Sequence, residues 1–331
     1  MSLLEISDLA VRFAVRDGAV HAVRGVDLRV ERGEVAAIVG ESGSGKSATM
    51  LAALGLLDDN GTTTGSVRFD DVETVGAPGA VLRSLRGGRI GMIFQDPMTS
   101  LNPVLSIGRQ IGEAVVTHQR SLSTREVRTR VVQLLELASF PDASRRTNAY
   151  PHELSGGMRQ RAMIAMALAN DPDILIADEP TTALDVTVQA QILEVLRALQ
   201  STRHLAIVLI THDLGVVAGL ADTVHVMYAG RIVESGPVVE IFHRPRHPYT
   251  SALLASLPRL DRPERELLPI GGMPPSLAAD PVGCPFAPRC LHAQDRCHHD
   301  EPPLVTFGAG RVSCHVLPFG APGGEADGAA T

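Results

Sequence analysis

The chain is almost without lysine. It has 331 residues and 30 basic ones, and every basic residue except Lys46 is arginine. Arginine is a planar fork and lysine a slim point charge, and only the second fits inside a tight loop wrapped around a phosphate. Cysteine is absent until Cys284, and the four present (Cys284, Cys290, Cys297 and Cys314) share one late window. No run of about eighteen apolar residues occurs, so no membrane-spanning helix is expected. The opening MSLLEISDLAVRF lacks a basic segment followed by an apolar one, so no secretory signal is expected and the cytosol is the expected compartment. Basic blocks are missing too, and the net charge of −7 argues against general binding to a nucleic-acid backbone. With 44% hydrophobic residues the chain can bury a full core, and its length suits one large domain plus a smaller one.

The lone lysine sits in GESGSGKS, Gly40 to Ser47, a match to G-x-x-x-x-G-K-[ST]. The apolar run EVAAIV before it reads as a buried strand, and ATMLAALGLL after it reads as a helix. Strand, glycine loop and helix form the context in which backbone N–H groups cradle phosphates, aided by the helix N-terminus. Gly40, Ser42, Gly43 and Gly45 shape the cradle. Lys46 would reach the terminal phosphates of ATP, Ser47 would hold Mg²⁺, and Ala48 follows on the helix. The bland alternative is a glycine turn without a ligand. Downstream, DILIADEP is an apolar run ending in Asp178 and Glu179. Carboxylates at the C-terminal end of a buried strand face the ligand crevice of an open α/β sheet. Asp178 would hold Mg²⁺ through water, and Glu179 would polarise the attacking water. A solvated turn is the alternative.

Four further motifs stand in order around this pair: FQDP (Phe94 to Pro97), LSGGMRQR (Leu154 to Arg161), TALD (Thr182 to Asp185) and ITHD (Ile210 to Asp213). With the phosphate loop and the acidic pair, this order resembles the ATP-binding cassette (ABC) ATPases over roughly residues 1–245. The resemblance implies an α/β fold: a RecA-like P-loop core with a mixed sheet, an antiparallel β part, and a helical subdomain at about 96–160. It also implies roles. Gln95 senses Mg²⁺ and water and relays to a membrane partner. Ser155, Gly156 and Gly157 close on the γ-phosphate held by an opposite protomer. Asp185 crosses the dimer interface, and His212 steadies the γ-phosphate and Glu179. Phe13 is the aromatic proposed to stack on adenine, with core packing as its alternative; the segment AVRDGAVHAV after it reads as a long loop. TREVRTRVVQLLELA has Val127, Val131, Leu134, Leu135 and Ala138 at helical spacing, with arginines on a solvated face.

From about residue 243 the chain turns rich in proline and reads as short elements joined by loops. HPYTSALLASLP and the cysteine-bearing end resemble the ATP-binding subunits of oligopeptide and dipeptide importers, extending the likeness to about residue 318. Residues 246–318 are expected as a small metal-binding lobe and 319–331 as a disordered tail. A cytosolic protein should not carry stable disulfides. The cysteine spacing lacks the paired C-x₂-C of zinc ribbons and the C-x₂-C-x₂-C run of bacterial ferredoxins. Spacing alone therefore admits a cluster, zinc or unliganded thiols. The importer resemblance implies a 4Fe–4S cluster on the four cysteines, with Zn²⁺ as the alternative. Their apolar neighbours Phe286, Leu291 and Val312 are too few for an independent core, so a metal would help the lobe fold.

No internal repeat is visible, so the chain carries one cassette, and the partner cassette must come from a second copy or a different subunit. The resemblance implies a different, related ATPase as that partner, two transmembrane permease subunits, an extracytoplasmic substrate-binding protein, and a peripheral place on the cytoplasmic face of the inner membrane. The expected role is an ATP-hydrolysing import motor for short peptides, or for nickel, opines, glutathione or another small solute. A soluble cassette ATPase acting on DNA or ribosomes would carry two cassettes, a long coiled-coil insertion or basic segments, and none is present. A regulatory subunit with a degenerate site is opposed by the intact Lys46, Asp178, Glu179 and His212.

Overall fold

The computed structural model describes residues 2–16, 18–182, 184–256, 270–278 and 280–316. Among these residues twelve strands form two sheets. Strands β1 (Ser2–Val15), β2 (Gly18–Glu31), β4 (Gly61–Phe69) and β5 (Val72–Glu73) make an antiparallel sheet in the order β2-β1-β4-β5. The second sheet has eight strands: β3 (Val35–Val39), β6 (Ile90–Ile93), β7 (Ile174–Asp178), β8 (Ala206–Thr211), β9 (Thr223–Tyr228), β10 (Arg231–Pro237), β11 (Val305–Phe307) and β12 (Gly310–Val312). Their order is β11-β12-β10-β9-β3-β8-β7-β6. The half from β9 to β6 is parallel, and β10, β12 and β11 add antiparallel. The mixed sheet and the antiparallel part match the expectation from the sequence.

Every residue of β3 is buried, because both faces of the large sheet are covered. Val35, Ala37 and Val39 point into one core, and Ala36 and Ile38 into the other. The second core lies under the antiparallel sheet, with Leu9, Val11, Phe69 and Met50 of the helix Lys46–Ala53. The first core holds the helices Ile107–His118, Thr124–Leu137 and Gly156–Ala167. The helix Thr124–Leu137 buries Val131, Leu134 and Leu135 at the expected spacing. Its start is fixed by a capping box: Ser123 Oγ accepts from Glu126 N at 3.3 Å, and the Glu126 carboxylate accepts from Ser123 N at 2.8 Å.

Two local readings change. AVRDGAVHAV is not a long loop: β1 runs on to Val15, β2 starts at Gly18, and those two residues pair, so most of the segment is strand. In the cysteine region Phe286 and Val312 are buried as expected, whereas Leu291 is 97% exposed and contributes no packing. The end of the 246–318 segment is also tied into the main sheet, since β12 pairs with β10 at Glu234↔Val312 and Ser235↔Arg311. Phe286 and Tyr249 belong to the first core. The expected tail, 319–331, lies outside the described residues.

One histidine makes this sheet sensitive to acid. His225 sits in β9 between Ile38 of β3 and Ser235 of β10, and neither of its buried ring nitrogens has a hydrogen-bond partner. Burial, with the charge of Arg311 nearby, holds its pKa down at about 4 against the usual 6.5. Between those values the unfolded chain binds the extra proton, so stability rises with pH across the window and is lost as pH falls through it. The thermal midpoint should therefore drop as pH is lowered from 6.5 towards 4, and His225→Leu should reduce that slope in a calorimetric pH series, leaving the part due to His247, whose burial lowers its pKa to about 3.

Candidate functional site

The phosphate loop leaves the buried end of β3 and turns at once into the helix Lys46–Ala53. Its glycines are required by close backbone approach. A Cβ on Gly40 would stand 2.1 Å from the carbonyl oxygen of Met227, and one on Gly45 would stand 2.3 Å from that of Ala22. Gly45 also has φ of 104° at the N-cap, a conformation that favours glycine. A Cβ at Gly43 would meet nothing within 4 Å, so the mouth of the cradle is open, with Ser42 exposed beside it. Lys46 is 6% exposed, and its Nζ donates to the carbonyls of Gly40 and Glu41, both at 2.9 Å. Burial lowers its pKa, against the opposing pull of Glu179, Asp178 and Glu41.

Asp178 closes the metal side. Its Oδ1 accepts from Ser47 Oγ at 3.0 Å, across 131 residues of sequence. Burial pushes its carboxyl above the usual range, and although Ser47 and Lys46 pull the other way, the charge of Glu179 adds to the rise. Two carboxylates and a hydroxyl at a mouth of exposed glycine backbone fit a nucleotide bearing Mg²⁺, because a hard divalent cation takes oxygen ligands and relieves the carboxylate crowding.

Glu179 gathers the other residues. Its φ of 47° lies in the left-handed region, rare for a side chain other than glycine, asparagine or aspartate. That bend aims the carboxylate away from the strand. It accepts from Gln95 Nε2 at 3.1 Å and Thr182 Oγ1 at 2.8 Å, and it meets His212 Nδ1 at 3.2 Å. Burial works to raise its pKa, but the hydrogen bonds from Thr182 and His212, with the nearby charges, bring it below the usual range. Glu179 is therefore held as an anion, placed to orient a water.

The structure brings Gln95, Glu179 and His212 into one set with Thr182, and Lys46, Ser47 and Asp178 into another beside it. The remaining sequence-predicted residues stand elsewhere. Ser155 and Gly156 are exposed at the start of the helix Gly156–Ala167, where Ser155 Oγ accepts from Met158 N at 3.3 Å. Gly157 is buried against Val188. Asp185 is exposed and caps the helix Val186–Arg203, its side chain accepting from Val188 N at 2.9 Å. Phe13 is half-buried in β1, opposite Val20 and Gly61, and packs against the second core. Sequence reasoning missed Thr182 as a partner of Glu179; its place three residues on, in a tight turn, was the available signal. It also missed Glu41, Tyr249 and Arg289, which meet only in the fold.

All four cysteines line one small enclosed cavity together with His247, Phe286 and His315. Burial raises the Cys284 thiol to about 11 despite the backbone N–H groups of Phe286 and Ala287, and the nearness of Cys297 and Cys314 adds to the rise. Cys290 and Cys314 are pushed up for the same first reason. Gln294 N donates to Cys297 Sγ at 3.5 Å and Val316 N to Cys314 Sγ at 3.4 Å. Among the described residues no group of three or more His, Cys, Asp or Glu is placed to hold a single metal ion. The expected metal-binding character of this region, zinc included, is thus not seen as a single-ion site.

Residues 23–182 match the ABC transporter family, and residues 233–297 match the oligopeptide/dipeptide transporter C-terminal region. A dimeric ATP-binding cassette, MJ0796, solved in a post-hydrolysis state with ADP and Pi, superposes with a TM-score of 0.64 at 31% identity, over 71% of this chain and 98% of that one. The oligopeptide transport ATP-binding protein OppD of Salmonella typhimurium is 51% identical over 316 residues, covering 96% of this chain and 94% of the relative. OppD of Mycobacterium tuberculosis is 53% identical over 304 residues, 92% of this chain, and the chain spans about half (50%) of that protein's length. The chain belongs to the ATP-binding proteins of ABC transporters, in their oligopeptide/dipeptide branch. No helix among the described residues is long and apolar enough to cross a membrane.

Asp178→Asn keeps the shape of the metal side and removes its charge. Mg²⁺-dependent retention of a fluorescent ATP analogue should weaken by about tenfold or more, read as a rightward shift of a Mg²⁺ titration.

Proposed function

We propose that this chain is the ATP-hydrolysing motor subunit of a peptide importer, working as one half of a cassette pair. The observation that carries the reading is Glu179, ionised and held by Gln95, Thr182 and His212 beside the loop bearing Lys46. Phosphoryl transfer to water needs positioning and charge neutralisation more than covalent chemistry, and these residues supply both. Lys46 would exchange its two carbonyl partners for phosphate oxygens. Ser47, Gln95 and Asp178 would hold Mg²⁺, which when bound neutralises charge on the phosphates. Glu179 would orient the attacking water, and His212 would steady Glu179 and the γ-phosphate. Ser155, Gly156 and Gly157 would act on ATP bound by the opposite protomer, with Asp185 at that interface; the exposure of Ser155 and Gly156 at a helix start supports this use. Phe13 is proposed to meet adenine.

The relatives' names favour short peptides as cargo. Nickel, opines, glutathione and other small solutes are the alternative cargoes for the same motor. The proposed partners are two permease subunits, a second, related ATPase, and an extracytoplasmic binding protein. The proposed place is the cytoplasmic face of the inner membrane. Residues 1–245 would form the nucleotide-binding unit, with its helical subdomain at about 96–160, and 246–318 the importer-type extension. Within that extension we assign the four cysteines to a 4Fe–4S cluster. Their common cavity and the backbone N–H groups aimed at sulfur support this, since such donors stabilise thiolates around a cluster.

Two measurements test these readings. Glu179→Gln should bind ATP, accumulate as a closed cassette pair and hydrolyse about 10²–10⁴-fold more slowly; turnover at the unmutated rate would remove Glu179 from its role. Anaerobically purified protein should carry about four irons per chain with a broad absorption near ~400 nm, weakened by Cys290→Ser. Zinc without colour would replace the cluster by a structural ion, and neither metal would leave plain thiols.

A further inference from the structure

The second residue of the phosphate loop is held from outside the loop. Arg289 Nη1 donates to Glu41 Oε2 at 2.8 Å, and Nη2 donates to Oε1 at 2.9 Å. These are two parallel bonds across 248 residues of sequence. The Arg289 side chain is 4% exposed and held in turn: Nε donates to the Gly271 carbonyl at 2.8 Å, Nη1 to Tyr228 Oη at 3.2 Å, and Cζ lies 5.8 Å and 6.0 Å from the ring centres of Tyr228 and Phe286. A second tether reaches the Glu41 backbone, whose N–H donates to Tyr249 Oη at 2.9 Å. Tyr249 is fully buried, with its ring 4.5 Å from that of Tyr228 and 5.4 Å from that of Phe286. The Glu41 carbonyl, finally, is one of the two oxygens that hold Lys46 Nζ. An unbroken chain of contacts therefore runs from Arg289 through Glu41 to the lysine.

We propose that Arg289, with Tyr249, is a positioning residue for nucleotide binding: the C-terminal segment clamps the phosphate loop in its binding shape. The inference rests on reading Gly40–Ser47 as the phosphate loop. Its physical basis is preorganisation. A glycine loop left alone samples many conformations, and ordering it on binding costs affinity. A bidentate arginine–carboxylate pair fixes both distance and angle, which a lysine at the same place does not. The pair is buried on the arginine side, so neither partner is replaced freely by water. The aromatic cluster of Tyr228, Tyr249 and Phe286 makes the anchor stiff, and Phe286 lies beside Cys284 on the same turn. Arg289 touches no residue assigned to the chemistry except through Glu41, so its effect should fall on binding.

The test uses the full chain, equilibrium binding of a fluorescent ATP analogue with Mg²⁺, and a melting curve for each variant. Arg289→Lys and Glu41→Gln should each weaken binding by about tenfold with melting retained, because each keeps bulk and loses the two-bond pair. The loss should appear in KM for ATP more than in kcat, as for a lost binding interaction. Because both substitutions remove the same pair, the double variant Glu41→Gln with Arg289→Lys should bind about as weakly as either single. Lys46→Ala is the control for the loop itself. If Lys46→Ala loses binding while both single variants bind within about twofold of the parent, Arg289 has no positioning role. Single losses that add up in the double variant, at unchanged melting, would assign the loss to something other than the pair and also overturn the proposal. If Lys46→Ala binds like the parent, the phosphate-loop reading fails first.

Discussion

The site depends on a constraint of backbone against backbone. The loop that follows β3 runs so close to the carbonyls of Met227 and Ala22 that Gly40 and Gly45 have no room for a Cβ. Those two carbonyls come from β9 and β2, one strand from each sheet. The cradle is therefore located by the joint between the two sheets, and the rigidity of that joint becomes the rigidity of the loop. β3 can supply it because both of its faces are buried and both of its edges are paired in parallel.

Around this joint the electrostatics divide two adjacent carboxylates. Asp178 stays inside the strand end, where burial and its neighbour's charge disfavour ionisation. Glu179 is thrown out by a left-handed backbone step into three hydrogen-bonding partners, which favour it. One residue of separation thus produces a group that calls for a cation and a group ready to hold water. Burial on one side and hydrogen bonds from Thr182 and His212 on the other create this difference, which suits the proposed division of labour.

The C-terminal segment has a closer relation to the site than its composition implies. Its proline-rich chain reads as an appendage, yet β12 extends the main sheet and Arg289 reaches the phosphate loop. The four cysteines sit behind that contact, lining a cavity whose wall includes Phe286. Buried thiols raised above their ordinary pKa, with backbone N–H groups turned toward them, form a site in which positive charge from a metal would be strongly felt.

Much of this protein was legible in its sequence for physical reasons. The strand before Lys46 and the run ending at Asp178 are apolar because both faces of a parallel sheet are covered, and a run of that kind survives as a local pattern. The phosphate loop is legible because bare backbone demands glycine at fixed spacing. The helix Thr124–Leu137 announces itself through its apolar period and its Ser123–Glu126 cap. Other features carry no local mark. The segment after Phe13 reads as a loop because the burial of its strands is irregular, and the pairing of β1 with β2 is broken by shifts in register. The set Gln95, Glu179 and His212 comes from three strand ends that only sheet order places side by side. The pair Glu41–Arg289 joins opposite ends of the chain. The sequence alone marked which groups are expected to bind phosphate and metal, because those demands act over a few residues. The tertiary structure alone decided which groups face one another and what holds the loop in shape, because those contacts form only when the sheets close.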